Sequence, residues 1–393
     1  MIAAIPASHR RRSGHALPFA ASAPLSIGTE VEVALIHLAD GQPAAASPEV
    51  LGLLAMDGVD CPIKAEITQA MLEITSDVHH DAAALGAELR YTAETLQAHV
   101  ARLGLGIAGG GAHPFSDWSE QVIFPTPRFR LLADTYGYLA KQFAVLSQHV
   151  HIGCTGGDEA LYLVHALSRY VPHLVALTAA SPLWRGIDTG FDCSRLNVIR
   201  AFPLSGHAPP VLRWRVFSRH IAKLHEAGVI RSLKDLYWDI RPKPEYGTVE
   251  VRVCDSPLSI DMAADVVALL QTLARQLLRE QQEPELEPLY VYYDVNRFRA
   301  ARYGLGATWI DPSTGTSRPI AAAIAEMLAG LSEDAGALGT EAALERLGQR
   351  AAKRTNDAAW LRDEVHRHPG PGGVMRSLAA RWLAPGTHPE MEV

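Results

Sequence analysis

The chain has 393 residues, of which 48% are hydrophobic and 20% are charged, and its formal net charge at pH 7 is −7. This composition is typical of a globular protein, and no basic, aromatic-rich stripe offsets the acidic balance, so a nucleic-acid-binding surface is not expected. No apolar run approaches the roughly 20 residues that a membrane-spanning helix needs, so no membrane partner is expected either.

The cysteines and the N-terminal residues bear on the cellular compartment. Four cysteines lie far apart without a Cys-x-x-Cys pair, which is typical of free thiols in a reducing compartment: Cys61, Cys154, Cys193 and Cys254. Three arginines at positions 10–12 precede a weakly apolar run, but Pro18 and Pro24 interrupt it, which argues against an export signal. We therefore predict a cytoplasmic protein with a flexible basic arm over residues 1–24.

Four segments along the chain alternate between apolar residues on one face and ionisable residues on the other. In the first, Val31 and Val33 point to one side, and Glu30 and Glu32 point to the other. The later segments repeat this alternation with the following ionisable residues: Glu73 in 71–75, His149 and His151 in 149–153, and Glu250 and Arg252 in 246–255. A period of two with β-branched residues on one side predicts half-buried strands.

The ionisable face of these strands carries four carboxylates, two imidazoles and one guanidinium, and no lysine. Carboxylates about 4 Å apart repel each other by roughly 4 kcal/mol at an effective dielectric constant near 20. Without bound cations, such crowding would push some of the acids towards protonation. We therefore favour a cation-binding site over the alternative, which is a solvated charged face.

Glu66 precedes Glu73 by seven residues, and this odd offset cannot place both side chains on one face of a regular strand. Either a bulge separates them or Glu66 lies on a connecting turn. Glu66 is therefore a weaker ligand candidate than Glu73.

Helical spacing of apolar residues predicts most of the other elements. The predicted helices span residues 81–103, with Asp81 as N-cap, 128–147, 155–168, 174–180, 212–228 and 261–280. Residues 47–59 are expected to be an irregular connector, and 104–111 a glycine-rich turn beside the site rather than a P-loop. Residues 186–210 are predicted to be a long substrate loop and candidate lid, which contains Arg195 and follows Trp184.

The character of the chain changes after Pro284 and Pro288, and beyond Asp294 it is mostly helical and rich in Ala and Arg. We therefore predict a catalytic domain over residues 25–283 and a helical C-terminal region over 284–393, packed on that domain.

Carboxylates with an imidazole and no thiolate suit hard cations such as Mg²⁺ or Mn²⁺. Two such ions beside an arginine are typical of phosphoryl transfer, in which the arginine takes up charge on the transferred group. A binuclear metallohydrolase would use the same ligands with a bound hydroxide. Residue types alone leave both classes open.

Several motifs, in the same order, resemble the carboxylate–amine ligases known as glutamate–cysteine ligase type 2. They are Ile27–Glu32, Met71–Thr75, Gln148–Gly153, Ser181–Trp184 with Asp188–Gly190, Trp238–Pro242, Gly247–Arg252 and Asn296–Gly304. The resemblance implies an α+β fold like that of glutamine synthetase: a curved, mainly antiparallel sheet with helices on its convex face and the site on its concave face. It also implies that ATP and Mg²⁺ convert the glutamate side chain into an acyl phosphate, which an amine such as cysteine attacks.

The resemblance further implies roles for individual residues. Two ions would be held by two groups: Glu30, Glu250 and either His149 or His151 in the first, and Glu32 and Glu73, joined by Glu66, in the second. Arg252 would neutralise the transferred γ-phosphoryl group, and Arg241 would contact phosphate or the substrate carboxylate. Arg195 would bind the α-carboxylate of glutamate, and Glu66 and Trp184 are further candidates for contact with substrate.

Simpler alternatives remain open for some of these residues. Arg195 could be a surface arginine, Arg241 a packing ion pair, and Trp184 a core residue. Asp192 departs from the family pattern, so we expect it to alter recognition of the amine. Other acid and amine pairs, a phosphotransferase or hydrolase, a non-catalytic nucleotide binder and a homodimer also stay open, and the C-terminal tail is assigned no role beyond packing.

Overall fold

The computed structural model describes residues 16–384 of the chain. The strands of this part are β1 Ile27–His37, β2 Ile63–Ala65, β3 Met71–Thr75, β4 Leu105–Ala108, β5 Ser147–Gly153, β6 Leu183–Trp184, β7 Ile187–Asp188, β8 Ser205–Gly206, β9 Tyr237–Trp238, β10 Ile240–Lys243, β11 Thr248–Asp255, β12 Thr308–Ile310 and β13 Ser317–Pro319. Seven of them form one antiparallel sheet in the order β10-β11-β5-β1-β3-β2, with β4 also paired to β1.

The helices lie mainly behind this sheet and in the C-terminal region. They are α1 Ser47–Met56, α2 Ala82–Arg102, α3 Pro127–Tyr136, α4 Tyr138–Gln142, α5 Gly157–Ser168, α6 Val171–Thr178, α7 Arg195–Arg200, α8 Trp214–Glu226, α9 Ile260–Glu280, α10 Leu286–Tyr303, α11 Ile320–Gly330, α12 Ser332–Leu338, α13 Glu341–Lys353, α14 Asp357–Arg367 and α15 Pro371–Trp382. Helices α2, α5, α6 and α9 contact the sheet strands directly. Within the described residues, no helix has the combination of length and apolar character that crossing a bilayer requires.

Burial of the apolar strand faces is what gives the sheet its two sides. Val31, Val33, Val150, Val249 and Val251 are each fully buried in the main core, which the helices share. Because side chains alternate along a strand, burying these residues forces their neighbours onto the opposite face. The predicted placement of the acids and imidazoles follows from this packing.

A bulge in β11 interrupts the alternation that the sequence predicts for 246–255. Val251 pairs with Val150, but the next pair is Cys254 with Gln148, so one extra residue lies on β11. The bulge turns Cys254 into the main core and Asp255 towards the opposite side, whereas simple alternation placed Cys254 beside Glu250. That expectation for Cys254 was wrong.

Two segments that were expected to be irregular contain regular structure. Residues 47–56 form α1 and 105–108 form the buried strand β4. The helices predicted over 212–228 and 261–280 are confirmed within two residues, as α8 and α9, and Asp81 caps α2. The predicted loop 186–210 is partly ordered as β7, α7 and β8, so it is more structured than a mobile lid would be.

Residues 1–15 of the predicted arm lie outside the described residues, but the rest of the arm is bound to the body of the protein. Trp214 donates its indole N–H to the carbonyl oxygen of Leu17 at 2.7 Å, and its ring contacts that of Phe19 edge to face. The backbone N–H of Ala20 donates to the carbonyl oxygen of Pro244. From residue 17 onwards, the arm is therefore held and not free.

The C-terminal region packs on the sheet domain through several helices. Helix α10 packs on α6, α13 on α9, and α15 on β4. Ile320, Leu344 and Trp382 are buried in the same core as the valines of the sheet. The four cysteines, all within the described residues, are free thiols, as the sequence predicted.

Substitution of Gly247 tests whether the contact of residues 16–24 with the sheet stabilises the protein. The φ of Gly247 is +66°, and a Cβ at this position would overlap the carbonyl oxygen of Ala20. We expect Gly247→Ala to lower the free energy of unfolding by about 3 kcal/mol or more in urea denaturation, since backbone strain and steric overlap add.

The matched control for this substitution is Gly58→Ala. Gly58 has nearly the same φ, +65°, and open space around the added Cβ. Gly58→Ala should lower the free energy of unfolding only by the cost of a left-handed backbone conformation for alanine, about 1–2 kcal/mol. Equal losses in the two variants would show that the contact with Ala20 is unimportant.

Candidate active site

The register of the central strands brings the predicted side chains together on the face opposite the main core. Glu30 on β1 pairs with His149 on β5, and His151 pairs with Glu250 on β11. On the other side of β1, Glu32 pairs with Glu73 on β3. Three neighbouring strand pairs therefore deliver six of the predicted residues to one surface.

Glu30, His149 and Glu250 form the first cluster, in which one ligand atom from each lies within 4.8 Å of the others. His149 Nδ1 is 2.8 Å from Glu30 Oε2 and 4.0 Å from Glu250 Oε1. Burial opposes ionisation of Glu30, but its contacts with His149 and His151 outweigh this and lower its pKa well below the usual range. Glu30 is therefore a carboxylate at neutral pH.

His151 borders the first cluster and has one unsatisfied nitrogen. Its Nδ1 lies 3.0 Å from the hydroxyl of Thr248, and its Nε2 lies 3.6 Å from Glu30 Oε1 and 3.9 Å from Glu250 Oε1. That buried Nε2 has no hydrogen-bond partner among residues 16–384. An unpaired polar atom between two carboxylates is favourable only if a proton or another cation lies among them.

Glu250 is surrounded by cationic side chains. Arg241 Nε and Arg252 Nη1 each lie 2.5 Å from one of its oxygens, and Lys243 Nζ lies 3.9 Å away. Burial alone would raise the pKa of Glu250, but Arg241 and Arg252 lower it well below its ordinary value. The first cluster is therefore compensated by protein cations.

Arg241 is buried with every nitrogen of its guanidinium engaged. Besides Glu250, it donates through Nη1 to the carbonyl oxygens of Leu233 and Leu236. This geometry favours the alternative of a packing ion pair over the predicted direct contact with phosphate or the substrate carboxylate. Arg252 differs, because it lines a cavity in front of the sheet together with Glu32 and His149.

Glu32, Glu66 and Glu73 form the second cluster, again with one oxygen from each within 4.8 Å of the others. Glu66 directly follows β2, on the connection to β3, which confirms the connecting-turn alternative. Burial and the neighbouring carboxylates raise the pKa of Glu32 and Glu66 to about 7 each, and that of Glu73 to about 9. Nearby cations therefore only partly compensate the second cluster.

Ser147 connects the two clusters, and sequence reasoning missed it. Its backbone N–H and its hydroxyl lie 2.7 and 2.9 Å from Glu32 Oε2, and the hydroxyl lies 2.8 Å from His149 Nε2. Burial lowers the pKa of His149 to about 4, aided by the nearby charge of Arg252, so the imidazole is neutral at pH 7. Extending the alternation of β5 by one step would have found Ser147.

Arg195 is buried at the start of α7 and is 1% exposed, so it is not a surface arginine. Its Nε donates to Asp255 Oδ1 at 2.6 Å and its Nη2 to the carbonyl oxygen of Val253 at 2.5 Å. The Nη1 group makes no hydrogen bond with any described residue, and Arg195 lines the same cavity as Arg252. The Nη1 group can therefore donate to an anion in this cavity, which Glu32 of the second cluster also lines.

Sequence reasoning missed some residues near the cavity, and one residue that it predicted for the site lies outside the cavity. The missed residues are Asp255, which the β11 bulge concealed, and Lys243, which follows Arg241 by two and so shares its face. Asp239 also lines the cavity, but its carboxylate is held by Arg297 and Tyr293. Trp184 lies on the separate β6–β7 hairpin, is partly buried, and is not among the residues that line the cavity.

An antiparallel sheet with carboxylates, imidazoles and arginines on its free face is the architecture expected of a carboxylate–amine ligase. The model of "Glutamate-cysteine ligase family 2(GCS2)" matches residues 26–378. The chain belongs to glutamate-cysteine ligase family 2, and by that membership it is an ATP-dependent ligase that forms carbon–nitrogen bonds. The family and the enzyme class predicted from the sequence are thus confirmed.

The curated relatives agree with this membership, and the solved structures agree with the fold. Proteins named "Putative glutamate--cysteine ligase 2" from Nitrosospira multiformis and an Azoarcus species are 46% and 47% identical over 367 residues, or 93% of this chain and 99% and 97% of theirs. A glutamate–cysteine ligase from Francisella tularensis in complex with AMP has a TM-score of 0.66 at 13% identity, covering 92% of this chain and 89% of that one. A bifunctional glutathione synthetase from Pasteurella multocida has a TM-score of 0.63 at 13% identity, covering 91% and 52%. The predicted α+β fold class is confirmed.

The charge crowding of the second cluster gives a prediction for Glu73→Gln in the presence of EDTA. Folding raises the pKa of Glu73 from 4.5 to about 9, so the unfolded chain releases a proton that the folded protein keeps. The wild-type protein should therefore lose stability as the pH rises from about 5 to 9. At pH 8 the variant should be more stable than the wild type by about 1–3 kcal/mol in urea unfolding.

The control for this measurement is Glu120→Gln, which neutralises an exposed carboxylate. Its stability should follow that of the wild type at every pH. A Glu73→Gln variant that is less stable than the wild type at pH 8 in EDTA would contradict the charge crowding described for this cluster.

Proposed function

We propose that the chain is a ligase that uses ATP and Mg²⁺ to join the side-chain carboxylate of glutamate to an amine, with cysteine as the leading acceptor. The observation that carries the proposal is that one member of each cluster, His149 and Glu32, lines a single cavity together with Arg252 and Arg195. The family membership and the names of the relatives support glutamate and cysteine as the substrate pair.

The donor sets of both clusters fit divalent cations. Oxygen-rich sites with one imidazole suit Mg²⁺ or Mn²⁺, and the raised pKa values of Glu32, Glu66 and Glu73 reflect charge that a cation would offset. Glu30, Glu250 and His149 would hold the ion on the ATP phosphates, and the second cluster would hold the other. These ions supply charge neutralisation for the phosphates and for the substrate carboxylate.

We assign His149, not His151, to the first ion. If Ser147 Oγ donates to Glu32, then His149 Nε2–H donates to Ser147 Oγ, and Nδ1 presents its lone pair to the cluster. A neutral imidazole in this tautomer is the form that binds a metal. His151 would then orient the phosphates or the substrate from the border of the cluster.

Two of the arginines would bind different substrates, one the ATP phosphate and the other glutamate. Arg252 borders Glu250 and faces the cavity, where it would take up charge on the γ-phosphoryl group as it is transferred. Arg195 would bind the α-carboxylate of glutamate, and Arg241 would hold Glu250 in place. Arg195 and Ile199 of α7 line the cavity, and exclusion of water by this lining would favour aminolysis of an acyl phosphate over its hydrolysis.

The first test is ADP release in the presence of glutamate and a panel of amines, with hydroxylamine as a trap for the acyl phosphate. The wild type should form glutamyl hydroxamate, and Glu250→Gln should lower this rate by about 10³-fold or more because it removes one anionic ligand of the phosphate-binding ion. The control is Glu245→Gln, a more exposed acid near the same strands, which should retain full activity.

ADP release without any hydroxamate would contradict the acyl-phosphate mechanism, and a fully active Glu250→Gln variant would contradict the assigned ligand. If a different amine supports faster ADP release than cysteine, the acceptor assigned here would change but the proposed mechanism would stand.

The second test is Arg195→Lys, which preserves the buried charge beside Asp255 but removes the planar fork of the guanidinium. We expect KM for glutamate to rise about 10- to 100-fold, with KM for ATP nearly unchanged. Arg200→Lys on the same helix changes a half-exposed arginine paired with Asp294 and should leave both values unchanged. An equal rise in both KM values for Arg195→Lys would argue against a glutamate-binding role.

A further inference from the structure

Arg362, on helix α14 of the C-terminal region, holds the segment that leads to Arg195. Its Nε donates to Asp188 Oδ2 at 2.9 Å, its Nη1 to Asp192 Oδ1 at 2.5 Å, and its Nη2 to the carbonyl oxygen of Phe191 at 2.9 Å. One guanidinium thus bonds three residues within a span of five. Such a fork fixes geometry as well as charge.

Other contacts from the C-terminal region complete this arrangement at Asp192. Its second carboxylate oxygen accepts from the amide of Asn356 at 2.9 Å, and its backbone N–H donates to the carbonyl oxygen of Ala301. Gly304 approaches so closely that a Cβ there would overlap the Asp192 carboxylate. Asp192 is therefore directed to the C-terminal region and away from the cavity, so the expected contact with the amine is not supported.

The held segment is bonded directly to the residues that place Arg195. The carbonyl oxygen of Asp192 accepts from the N–H of Ser181, and the N–H of Ser194 donates to the carbonyl oxygen of Ser181. The N–H of Arg195 donates to Ser181 Oγ, which in turn donates to Asp255. A shift of Asp192 would therefore be transmitted over three residues to the base of Arg195.

We propose that Arg362 is a positioning residue, which fixes residues 188–194 and thereby orients the Arg195 guanidinium towards the substrate carboxylate. This inference rests on the proposed function, in which Arg195 binds glutamate. It gives the C-terminal helices a role in substrate binding beyond packing. It also explains why an acid occupies position 192.

The test is Arg362→Ala in the full-length protein, assayed by ADP release. KM for glutamate should rise about tenfold, the effect of losing charge-assisted hydrogen bonds worth about 1.4 kcal/mol, while KM for ATP stays within twofold. The matched control is Arg367→Ala on the same helix, since Arg367 is 56% exposed and, among residues 16–384, pairs only with Glu364. It should leave both values unchanged.

Two further variants separate positioning from general destabilisation. Arg362→Lys keeps the charge but not the fork, so its KM for glutamate should lie between those of the wild type and Arg362→Ala. Combining Arg362→Ala with Asp192→Ala should raise KM little beyond the larger single effect, because both changes remove the same contact. Additive effects, or parallel rises in both KM values with a lowered thermal midpoint, would overturn the proposal.

Amide hydrogen exchange separates failure of this inference from failure of the proposed function. Arg362→Ala should speed exchange in residues 188–196 by about tenfold, and Arg367→Ala should not. Faster exchange in a protein that does not use glutamate would refute the proposed substrate but support the positioning contact. Unchanged exchange in Arg362→Ala would overturn the positioning role, whatever the substrate.

Discussion

The structure depends on a crowding of five carboxylates on one buried face of the sheet. Glu30 and Glu250 lie in one cluster, and Glu32, Glu66 and Glu73 lie in the other. The valines on the opposite strand faces are fully buried, so the strands cannot turn these acids out to water without losing the main core. The free energy gained by burying the valines against the helices thus offsets the repulsion among the carboxylates on the opposite face of the sheet.

Much of the site could be predicted from the sequence because strand geometry is simple. In a strand that buries every second residue, the intervening residues share a face, and this places Glu30, Glu32, His149 and His151 without knowledge of the fold. Which strands are neighbours does not follow from alternation. Here the resemblance to a known family implied only a mainly antiparallel sheet, and it is the register of β1 with β3 and β5 that brings these side chains together.

The parts that sequence reasoning missed share a physical reason, which is that they depend on contacts between distant segments. The β11 bulge has no signal in the alternation of 246–255, yet it directs Asp255 to Arg195. Gly111 is free of a side chain because a Cβ there would overlap the carboxylate of Asp255. The glycine-rich stretch thus makes room for the residue that orients Arg195, a role that no local pattern reveals.

The two clusters differ in how their charge is offset, and this difference bears on how the site works. Glu250 is already paired with Arg241 and Arg252, so a cation near the first cluster meets guanidinium charge as well as carboxylate charge. In the second cluster, Lys64 opposes Glu73 in the strand register but only partly offsets the acids. Under the proposed function, a divalent ion would therefore be attracted more strongly to the second cluster, whereas the first would gain enough negative charge only with bound phosphates. The protein cations that weaken the first cluster for a lone ion would also make it a favourable place for the metal–nucleotide complex that the proposed function requires.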